Sequence, residues 1–179
     1  MDLRLENDPI LKQTMPVYDF ENPPEFLTED LGLDSLTDSM LVTMKINNGM
    51  GLAAPQVGYN LRIFVMKIAG VDGLNDELLV CINPEIEQQS EEVTVDQEGC
   101  LSFPDLSLTV IRPTNIYVSY YGVEGFILRR WLTGVSARCF CHELDHLNGV
   151  TFDTRVAKLS LKMAKDKRKK FLKQKKRRR

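Results

Sequence analysis

Histidine is scarce in this 179-residue chain, which holds two, His142 and His146. Any metal site built here must therefore draw a third ligand from another residue type. Long apolar runs are missing too: none approaches the roughly 18 residues needed to span a bilayer. The opening MDLRLENDP carries acids at once and has no apolar segment behind it. Neither a secretory signal nor an Arg/Ser-rich transit peptide is expected from it. Cysteine is too sparse for a disulfide scaffold, with Cys81, Cys100, Cys139 and Cys141 as the full set. Nothing points to secretion, so these four read as reduced thiols in the cytoplasm. No internal repeat is visible.

What is present fits one globular domain with a sizeable core, at 43% hydrophobic and 27% charged residues. The formal net charge of −2 conceals an asymmetry. Residues 156–179 hold 13 of the 23 Lys and Arg and one of the 25 acids, a net of +12. Residues 1–155 keep 10 basic and 24 acidic residues, a net of −14. An acidic body with a basic tail suggests an anionic partner for the tail.

Prolines 9, 16, 23 and 24 make the first stretch extended or loop-like. The spacing of Leu33, Leu36, Met40 and Met44 predicts a helix from about Thr28 to Asn47, ended by Asn47-Asn48-Gly49. A glycine-spaced loop, GMGLAAPQVG, follows. Strands are predicted over Leu61–Ile68, over Leu78–Ile82 with a stop at Asn83-Pro84, and over Glu91–Asp96 and Leu106–Ile111 on either side of EGCLS. A hairpin is expected from Ile116–Tyr121 and Phe126–Trp131 around Gly122–Gly125. A helix should run from Gly134 to Leu147, stopped near Gly149, and a last one from Val156 onward. Strands cluster rather than alternate with helices, which predicts an α+β fold.

Both histidines fall in CFCHELDHLNG. At i and i+4 they project from one helix face and can share one metal ion. Glu143, beside His142, can reach a metal-activated water without being a ligand, the logic of the H-E-x-x-H motif. A catalytic site also needs a third protein ligand and an open position. Cys100, after Gly99, is the best thiolate candidate, though spacing alone does not decide it against a distant carboxylate. Cys81 reads as a small buried hydrophobe in a strand. Cys139 lies near the histidine face and Cys141 away from it.

Three segments together resemble peptide deformylase: Gly49-Met50-Gly51-Leu52-Ala53-Ala54-Pro55-Gln56, Glu98-Gly99-Cys100-Leu101-Ser102 and His142-Glu143-Leu144-Asp145-His146. They match the family patterns GxGLAAxQ, EGCLS and HExDH, in order. The likeness extends to NDPILKQ near the start, to Val110-Ile111-Arg112-Pro113 and to Ala137-Arg138. It implies a central metal-binding helix packed against antiparallel strands, with a C-terminal helix behind. It implies a catalytic domain over residues 1–155 and a basic helix or tail over 156–179. The implied reaction is removal of the formyl group from the N-terminal formylmethionine of nascent peptides, with release of formate.

Carried over, the resemblance makes Cys100, His142 and His146 the ligands of one divalent ion. Fe(II) is the expected native metal, with Ni, Co or Zn able to substitute. Glu143 would move the proton, while the Gln56 amide and the Leu101 backbone N–H would stabilise the oxyanion. The peptide would bind as an extended strand along Gly49, Met50, Gly51 and Gly99. Leu101, Val135, Cys139 and the stem of Arg138 would wall the methionine pocket, with the Arg138 head reaching water. Asp145 points elsewhere on the helix, and Arg112 is its expected partner. A monomer is expected, with no membrane association.

The tail from Lys165 to Arg179 resembles the C-terminal helix by which some bacterial deformylases dock on the ribosome. Contact with ribosomal RNA is expected on that basis. A second reading is a catalytically silent deformylase-like body serving as an RNA- or ribosome-binding module, and a third is a peptidase with the same metal logic. The intact set Gln56, Cys100, His142, Glu143 and His146 favours the enzyme.

Overall fold

The computed structural model describes residues 1–27, 32–68 and 76–177. Its elements are α1 (Leu33–Ile46), β1 (Gly51–Ala53), β2 (Ile63–Ile68), β3 (Glu77–Gln89), β4 (Val93–Cys100), β5 (Phe103–Pro113), β6 (Asn115–Tyr121), β7 (Ile127–Thr133), α2 (Gly134–Leu147) and α3 (Lys158–Arg177). Short 3-10 turns sit at Pro9–Lys12, Ala54–Val57 and Phe152–Arg155. The class is α+β.

Five strands form one antiparallel sheet in the order β1-β2-β3-β6-β7, and β4 and β5 form a separate hairpin. Side chains alternate faces along a strand, and β2 uses both. Phe64 and Met66 join one cluster, with Ala137, Phe140 and Leu147 of α2. Ile63 and Val65 join another, with Leu36, Met40 and Met44 of α1. One strand thus anchors a helix on each side, and Phe140 meets Phe64 edge-on at 5.0 Å. In β5, Leu106, Leu108 and Val110 face a third cluster, where Phe152 and, from α3, Leu161 and Ala164 also pack.

The α2 bounds agree with the sequence expectation, because its apolar face is uninterrupted and Gly149, at φ 70°, ends it. The β6–β7 hairpin is as expected. The expected start of α1 differs: residues 28–31 lie outside the described residues, and the helix begins at Leu33 after Gly32. Asn83-Pro84 does not stop the second strand. β3 runs through it with a register shift between Ile82 and Glu85. Asn83 takes the left-handed φ of 50° that such an irregularity needs. Its side chain compensates by accepting from Tyr18 N–H at 2.7 Å and donating to Tyr18 C=O at 2.9 Å.

Candidate active site

Helix α2, the β4–β5 turn and the β1 loop converge on a cleft of about 670 Å³. Its floor is the part of α2 bearing His142 and Glu143, and His146, one turn on, is fully buried. β4 ends at Cys100 and brings its sulfur to 3.2 Å from His146 Nε2. The sulfur and one nitrogen of each imidazole lie within 4.8 Å of one another, and no other such group of His, Cys, Asp or Glu exists among the described residues. Gln56 enters from the 3-10 turn after β1. Its Oε1 accepts from Ala53 N–H at 2.8 Å, and its Nε2 donates to Ser102 Oγ at 3.2 Å and to Cys100 Sγ at 3.5 Å. The amide is thereby oriented, with its N–H side toward the sulfur.

Behind the imidazoles lies a buried charge cluster, of which the sequence reading assigned the Arg112–Asp145 pair alone. Glu98 stands two residues before Cys100 and is 4% exposed. Its Oε1 accepts from Arg112 Nε at 2.9 Å and Arg138 Nη1 at 2.8 Å. Its Oε2 accepts from Arg112 Nη2 at 3.0 Å and lies 2.9 Å from His142 Nδ1. Arg112 also donates to Asp145 Oδ2 at 2.6 Å, which agrees with the expected pairing. Arg155 closes the cluster with two further bonds to Asp145. Strand alternation could have found Glu98, and it places Arg112 inward as well. Residue 98 shares a strand face with 100, and residue 112 continues the inward series 106, 108 and 110.

Charge placement follows from this cluster. Burial opposes ionisation of Glu98, yet bonds from His142 and Arg112 hold its carboxyl down at about 2. Burial opposes a proton on His142 as well, but its hydrogen bonds to Cys100 and Glu98 raise it to about 10. His146 is driven well below its ordinary value by burial and by the neighbouring His142 charge, so its ring is neutral. Burial pushes the Glu143 carboxyl up to about 7. Among the described residues, Glu143 Oε2 and His146 Nδ1 are buried side-chain atoms without a hydrogen-bond partner. An unsatisfied buried oxygen costs roughly 1–3 kcal/mol or more. The Glu143 side chain also lines the cleft, which places its carboxyl to receive a proton from something that enters.

Gly49, Met50, Gly51, Gly99, Leu101, Val135 and Cys139 all line the same cleft, as do Glu143 and His142. Arg138 lines it too, but its head does not reach water. The guanidinium is buried and donates to Glu98, Val110 C=O and Thr94. A charged group drawn out of water needs such partners, and β4 and β5 supply all three. Gly51 is fixed by close approach: a Cβ there would lie 2.6 Å from Glu143 Cγ and 2.7 Å from Cδ. Gly51→Ala is expected to push the carboxylate aside and lower kcat at least tenfold, with metal content by atomic absorption unchanged. Wild-type turnover would show that the two can relax apart.

Cysteine and two histidines in this arrangement suit a divalent cation. The donor set is the thiolate-imidazole type that such ions take. His142 directs Nδ1 at a carboxylate, the partner that usually fixes the tautomer of a ligating imidazole.

A family model described as polypeptide deformylase matches residues 3–162. The chain belongs to the peptide deformylase family. It is 43% identical over 130 residues to peptide deformylase 1B, chloroplastic, of rice, an alignment covering 73% of the chain and 48% of that protein. The chain therefore spans about half the length of the rice relative. Against the peptide deformylase of Finegoldia magna it is 41% identical over 159 residues, covering 88% of the chain and 90% of the relative. The crystal structure of a Synechococcus elongatus peptide deformylase in complex with actinonin superposes with a TM-score of 0.81 at 39% identity, over 93% of this chain and 86% of that one. The protein is accordingly a metal-dependent hydrolase that removes the formyl group from N-formylmethionyl peptides.

Proposed function

We propose that this deformylase holds its metal through Cys100, His142 and His146 and moves the reaction's proton with Glu143. The observation that carries the assignment is the meeting of those three donor atoms beside a buried, unpartnered Glu143 oxygen. When bound, a divalent ion, Fe(II) by family resemblance, supplies a Lewis acid that acidifies water and polarises a carbonyl. Glu98 orients His142 through Nδ1, so that metal binding would displace the proton on its other ring nitrogen, and burial keeps His146 neutral for ligation. Glu143, with its carboxyl near neutrality, takes a proton at Oε2 and returns it to the leaving amine. The Gln56 Nε2–H and the Leu101 N–H serve as donors to the developing oxyanion. The peptide lies extended along Gly49–Gly51 and Gly99, with the methionine side chain against Leu101, Val135 and Cys139.

The test is formate release from formyl-Met-Ala-Ser by iron- or nickel-loaded protein, beside Cys100→Ala with metal measured on the same samples. Rapid release by the wild type, with metal and activity lost together in the variant, is expected. A variant that keeps stoichiometric metal would sink the ligand assignment.

The substrate is a nascent chain and the place of work the cytoplasm, where four unpaired thiols such as these persist. Helix α3 carries the basic tail. Its first half packs on the body through Leu161 and Ala164, and every residue from Lys169 to Arg177 is exposed. A positively charged rod on an acidic body suits a phosphate backbone, and ribosomal RNA near the nascent chain is the partner we infer. Arg178 and Arg179 lie outside the described residues. Deleting residues 165–179 is expected to abolish co-sedimentation with ribosomes at low salt. Unchanged co-sedimentation would remove the idea.

A further inference from the structure

The N-terminal residues before the Pro9–Lys12 turn form a strap along the cleft. Arg4 N–H donates to Gln56 C=O at 2.7 Å, which ties the strap beside the oxyanion glutamine. Leu3 packs against the α1-facing cluster. Asp8 caps the 3-10 turn through Ile10 N–H at 3.1 Å. Between these anchors, Leu3 and Leu5 line the same cleft as Glu143 and Gly51. Leu5 is 54% exposed, an apolar side chain in a lining that mixes Leu101, Phe103 and Leu106 with the polar Asn47, Asn48 and Asp105.

The strap is also pinned from the other end of the chain. Glu6 accepts from Arg168 in a two-pronged pair, at 2.9 Å to Oε1 and 3.2 Å to Oε2. Both side chains are largely out of water, at 17% and 28% exposed for Arg168 and Glu6. Arg168 stands on the helix face of Leu161 and Ala164, which pack on the β5 side chains. A fixed helix therefore presents the guanidinium, and the planar fork suits a carboxylate.

The reaction needs contact with formylmethionine, yet its substrates continue as a peptide that must leave along the cleft. We propose that the strap is a specificity element: Leu3 and Leu5 receive side chains that follow the formylmethionine and favour apolar ones, and the Glu6–Arg168 pair holds the strap in register. The inference rests on the reading of the cleft as the peptide site. It also gives α3 a role in substrate choice in addition to its charge.

Covering a half-exposed leucine with an apolar side chain corresponds to about a three- to tenfold change in affinity. The experiment compares formyl-Met-Ala-Leu-Leu with formyl-Met-Ala-Ser-Ser on the metal-loaded full chain. The wild type is expected to show a KM for the serine peptide about three- to tenfold higher. In Leu5→Ser that ratio should fall close to one. Glu6→Arg and Arg168→Glu should each lower it, and the double reversal should return it toward the wild-type value. A ratio unchanged in Leu5→Ser would overturn the contact. A double reversal no better than its parents would overturn the role of the pair. Release of formate from both peptides at equal KM by the wild type would leave the deformylase site standing and remove this inference alone. Absence of release from either would overturn both.

Discussion

Glu143→Gln should lower kcat for formyl-peptide hydrolysis by about 10²- to 10⁴-fold, the range a positioned acid–base group supplies. Glutamine keeps the side-chain volume and can still hydrogen-bond, but it cannot take a proton at this position. The effect should be concentrated in kcat, because Glu143 is not among the three grouped metal-donor residues. Its burial would make any replacement risky if it held up the fold, yet Oε2 has no partner whose loss could unfold the chain. Thermal melting and metal content should therefore stay near wild type while turnover falls. A variant with near-normal kcat would mean that another group carries the proton.

Glu98→Ala should be the most damaging single change to the fold at this site. It removes the acceptor of two buried guanidiniums at once, those of Arg112 and Arg138, and leaves Arg138 donating only to Val110 and Thr94. Breaking one side of a buried ion pair costs about 3–5 kcal/mol, which lowers Tm by about 6–20 °C for a chain of this size. His142 loses its orienting carboxylate in the same step, with an expected further 10- to 100-fold loss of metal affinity. Urea unfolding of wild type and variant, both stripped by chelator, separates the two effects. A difference below about 1 kcal/mol would show that the arginines find other partners.

Acid gives the same cluster a second reading. The Glu98 carboxyl is held down from 4.5 to about 2, so the folded state binds its proton less readily than the unfolded chain. Its contribution to stability is thus complete above the unfolded value and is lost as pH falls from about 4.5 through about 2.

The parts of this site legible from sequence were those fixed by local geometry. Two histidines one helical turn apart need no tertiary information to share a face, and α2 begins and ends where its glycines and apolar pattern place it. Cys100 was harder, because a strand end 42 residues before His142 has no local tie to it. The three motifs together, read by family resemblance, supplied that link. The Arg112–Asp145 pair was accessible because both residues stood at positions with no apolar task. The Arg138 head was misplaced because an exposed charge is the ordinary case, and only the closure of β4 and β5 over α2 provides its acceptors. Strand β3 outran its expected end because a proline preceded by asparagine reads as a stop, whereas the side chain of Asn83 holds the irregularity inside the strand.

Burial sorts the four sulfurs into two chemical kinds. Cys81, Cys139 and Cys141 are buried, Cys139 at the cleft wall, and burial raises all three thiols above their ordinary value, which leaves them protonated. Cys100 alone retains partial exposure, at the end of β4 and open to the cleft. An electrophile meeting this protein therefore finds one partly exposed thiol, and it is the sulfur proposed above as a metal ligand. If Cys100 holds the metal as proposed, alkylation or oxidation would act as a single-hit inactivation, and occupancy of the site would double as a shield for that sulfur.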